Sequence, residues 1–180
     1  MRGEVGLEVI EALGRKDALL AADVQGFVRV ACNGKLIYEA WPEKRQVLAH
    51  VDVLKADAVE AQMLTGESNI MVAARMLAAM GPTEIVLTHR NGVLVYSGDE
   101  CYNEAGFFPR RLVGRSGRGD TCIAAYMAKR LTASPAEATI WAAAVTSLKM
   151  ESEGPFRREM GEVEDLMRRM YRGSQPARES

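Results

Sequence analysis

Two glycines and an aspartate stand directly before a long helical pattern, in Gly117-Arg118-Gly119-Asp120. Glycines let the backbone turn tightly and expose its N–H groups, and a helix that starts here adds the positive end of its dipole. This combination is typical of a site for an anion such as phosphate. Asp120 would repel phosphate, so a role as general base toward an attacking hydroxyl accounts for its presence. A flexible loop with an acidic N-cap explains the same residues equally well.

The rest of the chain has the composition of an ordinary globular protein. Of its 180 residues, 48% are apolar and 26% are charged, which suits one domain with a sizeable core. We predict this domain over residues 1–172, followed by a flexible polar tail at 173–180.

Charge, hydropathy and cysteine spacing exclude several classes of protein. The net charge of −1 gives no global attraction to nucleic acid or to an anionic membrane. The sequence has no basic-then-apolar signal pattern and no uninterrupted apolar run that could span a bilayer. Three scattered cysteines, Cys32, Cys101 and Cys122, indicate reduced thiols in a cytoplasmic protein.

Hydrophobic periodicity predicts helices that alternate with strands and hairpins, which is typical of a layered α/β fold. Asn33-Gly34 and Asn91-Gly92 predict hairpin turns. In residues 134–137, Ser-Pro-Ala-Glu predicts a helix start with a serine cap and a capping box. The predicted helices are 5–13, 58–64, 69–80, 119–131, 135–150 and 162–171, and the predicted strands are 18–22, 27–31, 35–40, 47–55, 84–89, 93–96 and 101–108.

A second candidate site follows a predicted strand, in residues 55–60 (Lys-Ala-Asp-Ala-Val-Glu). Asp57 and Glu60 are three residues apart, so they share one face of a helix. Two acids near the carboxyl end of a strand suit a hydrated Mg²⁺, which prefers oxygen ligands and keeps waters. A helix start enriched in acids, which complements the helix dipole, explains the same two residues.

Four stretches occur in a particular order along the chain. Residues 22–29 (Ala-Asp-Val-Gln-Gly-Phe-Val-Arg) are followed by 55–60, by 85–96 and by 114–121. In that order they resemble the Asp-Pro-x-Gly-x-x-Arg, Asn-x-x-Glu, Thr-x-Gly-x-x-Gly and Gly-Ala-Gly-Asp motifs of the ribokinase (PfkB) family of sugar and nucleoside kinases. The resemblance covers about residues 18–155, which correspond to the C-terminal half of that family.

The resemblance implies a three-layer, Rossmann-like (ribokinase-like) α/β sheet with helices on both faces, truncated at the N-terminus. In relatives, the N-terminal half supplies part of the sheet, most sugar-binding residues and a lid. The resemblance also implies ATP and Mg²⁺ as cofactors and a sugar, nucleoside or polyol as phosphoryl acceptor. A homo-oligomer or a partner chain is expected to cover the half that this sequence lacks.

The resemblance assigns the catalytic and metal-side roles to the two motifs already described. The backbone N–H groups of Gly117, Arg118 and Gly119 would form an anion hole for the transferred phosphoryl group. Asp120 would be the base, and Glu60 with Asp57 would organise Mg²⁺ and its waters.

The resemblance also places the nucleotide. Residues 142–154 would help to wall the adenine pocket. The expected nucleotide contacts are Thr88, Arg90, Ser116, Ala143 and Ser147.

Departures from the family motifs leave three alternatives open. Arg118 replaces a small residue, and it either adds a positive charge to the transition state or points outward. Thr88 is followed by His89 instead of a glycine, so Arg90 either contacts phosphate or is an exposed hairpin arginine. Gly114 stands where an aspartate usually opens the last motif. A non-catalytic nucleotide-binding subunit that has lost its acceptor site fits the same residues.

Overall fold

The computed structural model describes residues 3, 5–98 and 102–171, so that Cys101 and the expected tail at 173–180 lie outside the described residues. The described residues form eight helices and seven strands. The helices are α1 Leu7–Gly14, α2 Gln25–Val28, α3 Lys44–Leu48, α4 Ala58–Thr65, α5 Ile70–Ala78, α6 Arg118–Arg130, α7 Pro135–Lys149 and α8 Met160–Met170. The strands are β1 Ala21–Asp23, β2 Arg29–Cys32, β3 Lys35–Tyr38, β4 Val53–Asp57, β5 Glu84–Thr88, β6 Gly92–Tyr96 and β7 Tyr102–Gly106.

These elements belong to two compact units. The first unit holds the described residues up to His89 together with those from Leu94 to Tyr102. The second unit holds Arg90–Val93 and the described residues from Asn103 onward. The single domain expected over residues 1–172 stays a prediction.

Five strands form a sheet in the order β1-β4-β5-β6-β7, and β2 pairs with β3 in a separate antiparallel hairpin. Strands β1, β4 and β5 are parallel, with Asp23 opposite Lys55 and Asp57 opposite Thr88. Residues 89–91 are all that join β5 to β6, which is too short for a parallel crossover, so these two strands are antiparallel. The α/β fold predicted from the sequence is confirmed, and its register brings Asp57 and Thr88 to the carboxyl edge of the sheet.

The core of the first unit lies around β4 and β5. Both strands are near-continuous apolar runs, and Leu54, Ile85 and Leu87 are fully buried. Such runs are typical of parallel strands that are covered on both faces. Ala74 and Leu77 of α5 bury the helix against this core.

The core of the second unit is built on α7, which packs against α6 and α8. The helix is buried along most of its length because its many alanines let neighbouring helices approach closely. Its start agrees with the prediction. The Oγ of Ser134 accepts a hydrogen bond from the N–H of Glu137 at 3.3 Å, and Glu137 Oε2 accepts one from the N–H of Ser134 at 3.0 Å.

Three details of the predicted secondary structure are wrong. Val47 and Leu48 belong to helix α3 instead of a strand, because a short apolar run does not distinguish a buried helical turn from a strand. Phe27 lies in helix α2, which begins where Asp23 Oδ1 accepts the N–H of Gln25 at 3.0 Å. Leu131 is 78% exposed, because α6 ends at the preceding residue.

The asparagine-glycine signal for the β2–β3 hairpin is confirmed. Asn33 and Gly34 both adopt positive φ, at 48° and 73°, as a two-residue hairpin turn of type I′ requires. Within the described part of the chain, no helix is long and apolar enough to cross a membrane.

Candidate functional site

Helix α6 begins at a glycine in the left-handed conformation. Gly117 is the N-cap, with φ 71° and ψ 11°, and residues with a side chain rarely adopt this backbone conformation. The turn therefore needs a glycine at this position. Asp120 lies in the first turn of the helix with its side chain exposed, where a carboxylate also complements the helix dipole.

The backbone N–H groups of this turn differ in whether they already have an acceptor. The N–H of Arg118 donates to the carbonyl of Arg115 at 3.1 Å, and the N–H of Thr121 donates to the carbonyl of Gly117 at 3.0 Å. Among the described residues, the N–H groups of Gly117 and Gly119 have no acceptor. Two of the three N–H groups predicted for the anion hole are therefore free, and the third, that of Arg118, would first have to release its bond.

A cavity of about 580 Å³ lies beside this helix start, within the second unit. Its polar end is formed by the turn, with Ser116, Gly117 and Asp120. Its apolar wall includes Trp141 and Phe156. The cavity therefore offers hydrogen-bond donors and a carboxylate at one end and apolar surface along its sides.

Lys149 also lines this cavity. It belongs to the segment 142–154 that is expected to wall the adenine pocket, but it is not among the expected nucleotide contacts. Lys149 is 2% exposed. Its Cε lies 3.6 Å from the position that a Cβ on Gly117 would take. Over the ranges 5–98 and 102–171, the Nζ of Lys149 has no hydrogen-bond or ion-pair partner. A helical spacing of four, from Trp141 through Val145 to Lys149, is the sequence signal that could have placed it on this wall.

The side chain of Arg118 packs against an aromatic ring. Its Cζ lies 6.0 Å from the ring centroid of Phe107, at the limit of a cation–π contact. The residue is half-buried, so this arginine neither extends freely into solvent nor lines the cavity.

Three of the five expected nucleotide contacts lie away from the cavity within the second unit. Arg90 is exposed. Ala143 and Ser147 are fully buried and do not line the cavity. The Oγ of Ser147 donates to the carbonyl of Ala143 at 2.6 Å and accepts the N–H of Phe108 at 2.9 Å. This hydroxyl is therefore engaged inside the unit, whereas the exposed Ser116 does line the cavity.

In the first unit, Asp57 and Glu60 form a capping box at the start of α4. Asp57 Oδ1 accepts the N–H of Glu60 at 2.8 Å, and Glu60 Oε2 accepts the N–H of Asp57 at 2.8 Å. Glu60 is fully buried. Its other oxygen, Oε1, lies 3.2 Å from the NH2 of Arg29.

Burial raises the pKa of the Glu60 carboxyl above its ordinary value. The hydrogen bond from the N–H of Asp57 and the positive charge of Lys55 oppose this rise in pKa. Lys55 is itself buried and forms an ion pair with Asp23 at 3.0 Å between Nζ and Oδ2. The carboxyl edge of the sheet thus holds two buried charged residues, Lys55 and Glu60, each next to a partly exposed residue of opposite charge.

The oxygens at this edge differ in whether a metal ion can reach them. No cluster of three His, Cys, Asp or Glu side chains in the described part of the chain could hold a metal ion by itself. Both oxygens of Glu60 accept hydrogen bonds. The side chain of Asp57 is 25% exposed, with its Oδ2 3.9 Å from the NH2 of Arg29. Asp57 is therefore the more accessible of the two acids to a hydrated Mg²⁺, and Glu60 fixes Asp57. Thr88, which is 1% exposed, lies opposite Asp57 on the next strand.

The sequence matches the pfkB family of carbohydrate kinases over residues 14–157. The chain belongs to this family. Its ribokinase-like fold is confirmed by solved structures. A pyrophosphate-dependent kinase in the ribokinase family, solved with a pyrophosphate analog and myo-inositol, is 42% identical, with a TM-score of 0.83 over 91% of this chain and 59% of the other.

Two further proteins extend the comparison. Ribokinase from Arabidopsis thaliana, solved with ribose and ATP, shares the fold at 22% identity and a TM-score of 0.73, over 89% of this chain and 51% of its own. A cytidine kinase from Thermococcus kodakarensis is 30% identical over 86 residues, which are 47% of this chain and 31% of the relative. The chain thus spans about a third of the curated relative and about three fifths of the pyrophosphate-dependent kinase.

Proposed function

We propose that this chain transfers a phosphoryl group from a phosphoanhydride to a hydroxyl of a small polyol, sugar or nucleoside. One observation carries the proposal. Asp120 and Gly117, whose N–H group is free, line a single cavity at the positive end of α6. A base and an anion-binding turn side by side are what phosphoryl transfer to an alcohol requires.

In this mechanism Asp120 accepts the proton of the acceptor hydroxyl while the oxygen of that hydroxyl attacks the phosphorus. The anhydride bond breaks, and the leaving group, ADP from ATP or phosphate from pyrophosphate, departs with the bonding electrons. The N–H groups of Gly117 and Gly119 donate to the phosphoryl oxygens as their negative charge shifts. Donors held in place in this way cost no reorganisation during the reaction.

The resemblance to the family supports Mg²⁺ as the metal and ATP as the donor. Mg²⁺ neutralises charge on the donor phosphates when it is bound, and Asp57 is the residue that fits a hydrated ion. Trp141 and Phe156 in the cavity wall offer apolar surface to an adenine. Pyrophosphate is the second candidate donor, because the structure 42% identical to this chain is that of a pyrophosphate-dependent kinase.

We propose further that the working form is a homo-oligomer or a complex with a partner chain, in the cytoplasm. Strand β3 supports this, because Leu36, Ile37 and Tyr38 are all exposed on it. Consecutive exposed apolar residues on a strand favour pairing with another chain. Measurement of the mass of the protein in solution tests this part of the proposal, and a monomer at all concentrations would contradict it.

The variant Asp120→Asn tests the base. We expect it to abolish acceptor-dependent release of ADP or phosphate while calorimetry still detects binding of the magnesium complexes of ATP or pyrophosphate. Asp165→Asn, at an exposed aspartate on α8, is the matched control and should retain full activity. Unchanged turnover in Asp120→Asn would overturn the assignment. Donor binding by the wild-type chain without turnover on any of a panel of polyols, sugars and nucleosides would favour the non-catalytic subunit.

A further inference from the structure

Lys149 is a charged lining residue of the cavity that the mechanism above leaves unused. Its side chain is almost completely buried, and none of the described residues supplies a carboxylate or carbonyl to its Nζ. Buried ammonium groups are normally paired, because transferring an unpaired charge out of water is costly. The Nζ of Lys149 is not itself an enclosed atom, so the second unit presents to the cavity a positive charge without an ion-pair partner among the described residues.

The surroundings of this charge restrict the ligand that can neutralise it. The Cε of Lys149 lies 3.6 Å from the place where Gly117 would carry a Cβ, next to the free N–H groups of Gly117 and Gly119. Farther along the cavity, Trp141 and Phe156 are apolar. An anion in the cavity can accept a hydrogen bond from the N–H group of Gly117 and lie close to the ammonium of Lys149 at the same time. A neutral group would gain no charge–charge attraction from the ammonium of Lys149.

We propose that Lys149 binds a phosphate of the donor, and that binding of inorganic pyrophosphate depends on this lysine more than binding of a nucleoside triphosphate does. The proposal rests on the function proposed above and names a residue of its donor site. Pyrophosphate has no base or sugar to bury, so charges and hydrogen-bond donors supply all of its affinity. A nucleoside triphosphate gains part of its affinity from apolar contact with the wall and depends less on one ammonium group.

Stability separates this role from a merely structural one. A lysine that holds the fold together costs stability when it is replaced, whereas a buried charge without a partner is itself unfavourable. Met has a similar length and no charge. We therefore expect Lys149→Met to melt at the same temperature as wild type or above it when no anion is present. We also expect it to lose most of the rise in melting temperature that magnesium pyrophosphate gives wild type.

Affinity provides the decisive measurement, by calorimetry with magnesium pyrophosphate, with ATP and with sulfate, without any acceptor. Lys149→Met should bind pyrophosphate roughly ten- to a hundredfold more weakly, as expected for the loss of one charge-assisted hydrogen bond, with a clearly smaller change for ATP. The matched control is Lys129→Met. Lys129 lies over the ring of Trp141, 5.1 Å from its centroid, and does not line the cavity. This control removes the same charge and should keep wild-type affinity for pyrophosphate.

Three results would overturn the proposal: unchanged pyrophosphate affinity in Lys149→Met, an equal loss in Lys129→Met, or an equal loss for ATP. A lower melting temperature of Lys149→Met without anion, combined with unchanged pyrophosphate affinity, would show a structural lysine. Binding is measured without turnover, so the same titrations in Asp120→Asn keep the two proposals separate. Activity that survives in Asp120→Asn contradicts the proposed base and leaves the role of Lys149 standing.

Discussion

The guanidinium of Arg29 reaches the fully buried carboxylate of Glu60, with 3.2 Å between NH2 and Oε1. Arg29 comes from the first residue of strand β2, and Glu60 comes from the first turn of helix α4. The contact ties the β2–β3 hairpin to the residues that fix Asp57 within the first unit. Glu60 thus acts as a structural anchor of the carboxyl edge, and its other oxygen completes the capping box with the N–H of Asp57.

Arg29→Met should destabilise the protein by about 2 kcal/mol, because it leaves the buried carboxylate with one fewer charged hydrogen bond. Urea unfolding measures the change in free energy. The matched control is Arg168→Met, which removes an exposed ion pair with Asp165 on α8 and should cost no more than about 0.5 kcal/mol. The double variant Arg29→Met with Glu60→Gln should recover part of the loss. Equal effects of Arg29→Met and Arg168→Met would argue against the anchoring role.

The raised pKa of Glu60 predicts how stability depends on pH. In the pH range between the ordinary pKa of a glutamate and the raised pKa of Glu60, the folded state binds more protons than the unfolded state. The contribution of this group to stability is therefore fully present below that range and is lost as the pH rises through the folded pKa.

Urea unfolding across this pH range checks the prediction with Glu60→Gln, which cannot titrate. The variant should lack this fall in the free energy of unfolding. Its stability relative to wild type should therefore increase as the pH rises. Asp57→Asn is a useful comparison because an asparagine still caps the helix. A difference between wild type and Glu60→Gln that is the same at every pH would contradict the assigned direction of the pKa shift.

Local signals in the sequence predicted those parts of the fold in which a few neighbouring residues decide the structure. The caps at Ser134 and the hairpin turn at Asn33-Gly34 are of this kind, because backbone geometry there depends on the residue types themselves. Val47 and Leu48 were assigned to a strand for the opposite reason. Their helix is five residues long. It is determined by the burial of Val47 and Leu48 within the core of the first unit, which no local pattern encodes.

Gly117→Ala should cost roughly 1 kcal/mol of stability, because an alanine is strained at a φ of 71°. It should also weaken pyrophosphate binding, because the new methyl group would stand between the turn and Lys149. Gly66→Ala is the matched control. Gly66 has a φ of 79° at the end of α4 and nothing within 4 Å of its notional Cβ. It should show the same loss of stability with unchanged pyrophosphate affinity. Equal pyrophosphate affinities of Gly117→Ala and Gly66→Ala would argue against an anion site at Gly117.

The candidate site was less predictable than the fold. The turn at Gly117 and the base candidate at Asp120 are visible in sequence because they are contiguous. The sequence gives no sign that Lys149 is buried, since a lysine in the last turn of a helix is an ordinary complement to the dipole. The free or engaged state of each N–H group, such as the bond from Arg118 to Arg115, is likewise a property of the folded turn alone.

Ser147→Ala decides between two roles for a residue that the family resemblance places near the nucleotide. Its hydroxyl accepts the N–H of Phe108 and donates to the carbonyl of Ala143, so the variant leaves a backbone N–H without its partner. We expect a loss of about 1–3 kcal/mol in the free energy of unfolding, with unchanged affinity for pyrophosphate and ATP.

The reciprocal variant is Ser116→Ala, at an exposed serine that lines the cavity. Because the residue is exposed and lines the cavity, the substitution should leave the free energy of unfolding unchanged and lower donor affinity by a few-fold. Urea unfolding and calorimetry on the two variants give a crossed pattern, in which stability falls in one and affinity falls in the other. A loss of donor affinity in Ser147→Ala without loss of stability would instead place Ser147 in contact with the donor, as the resemblance implies.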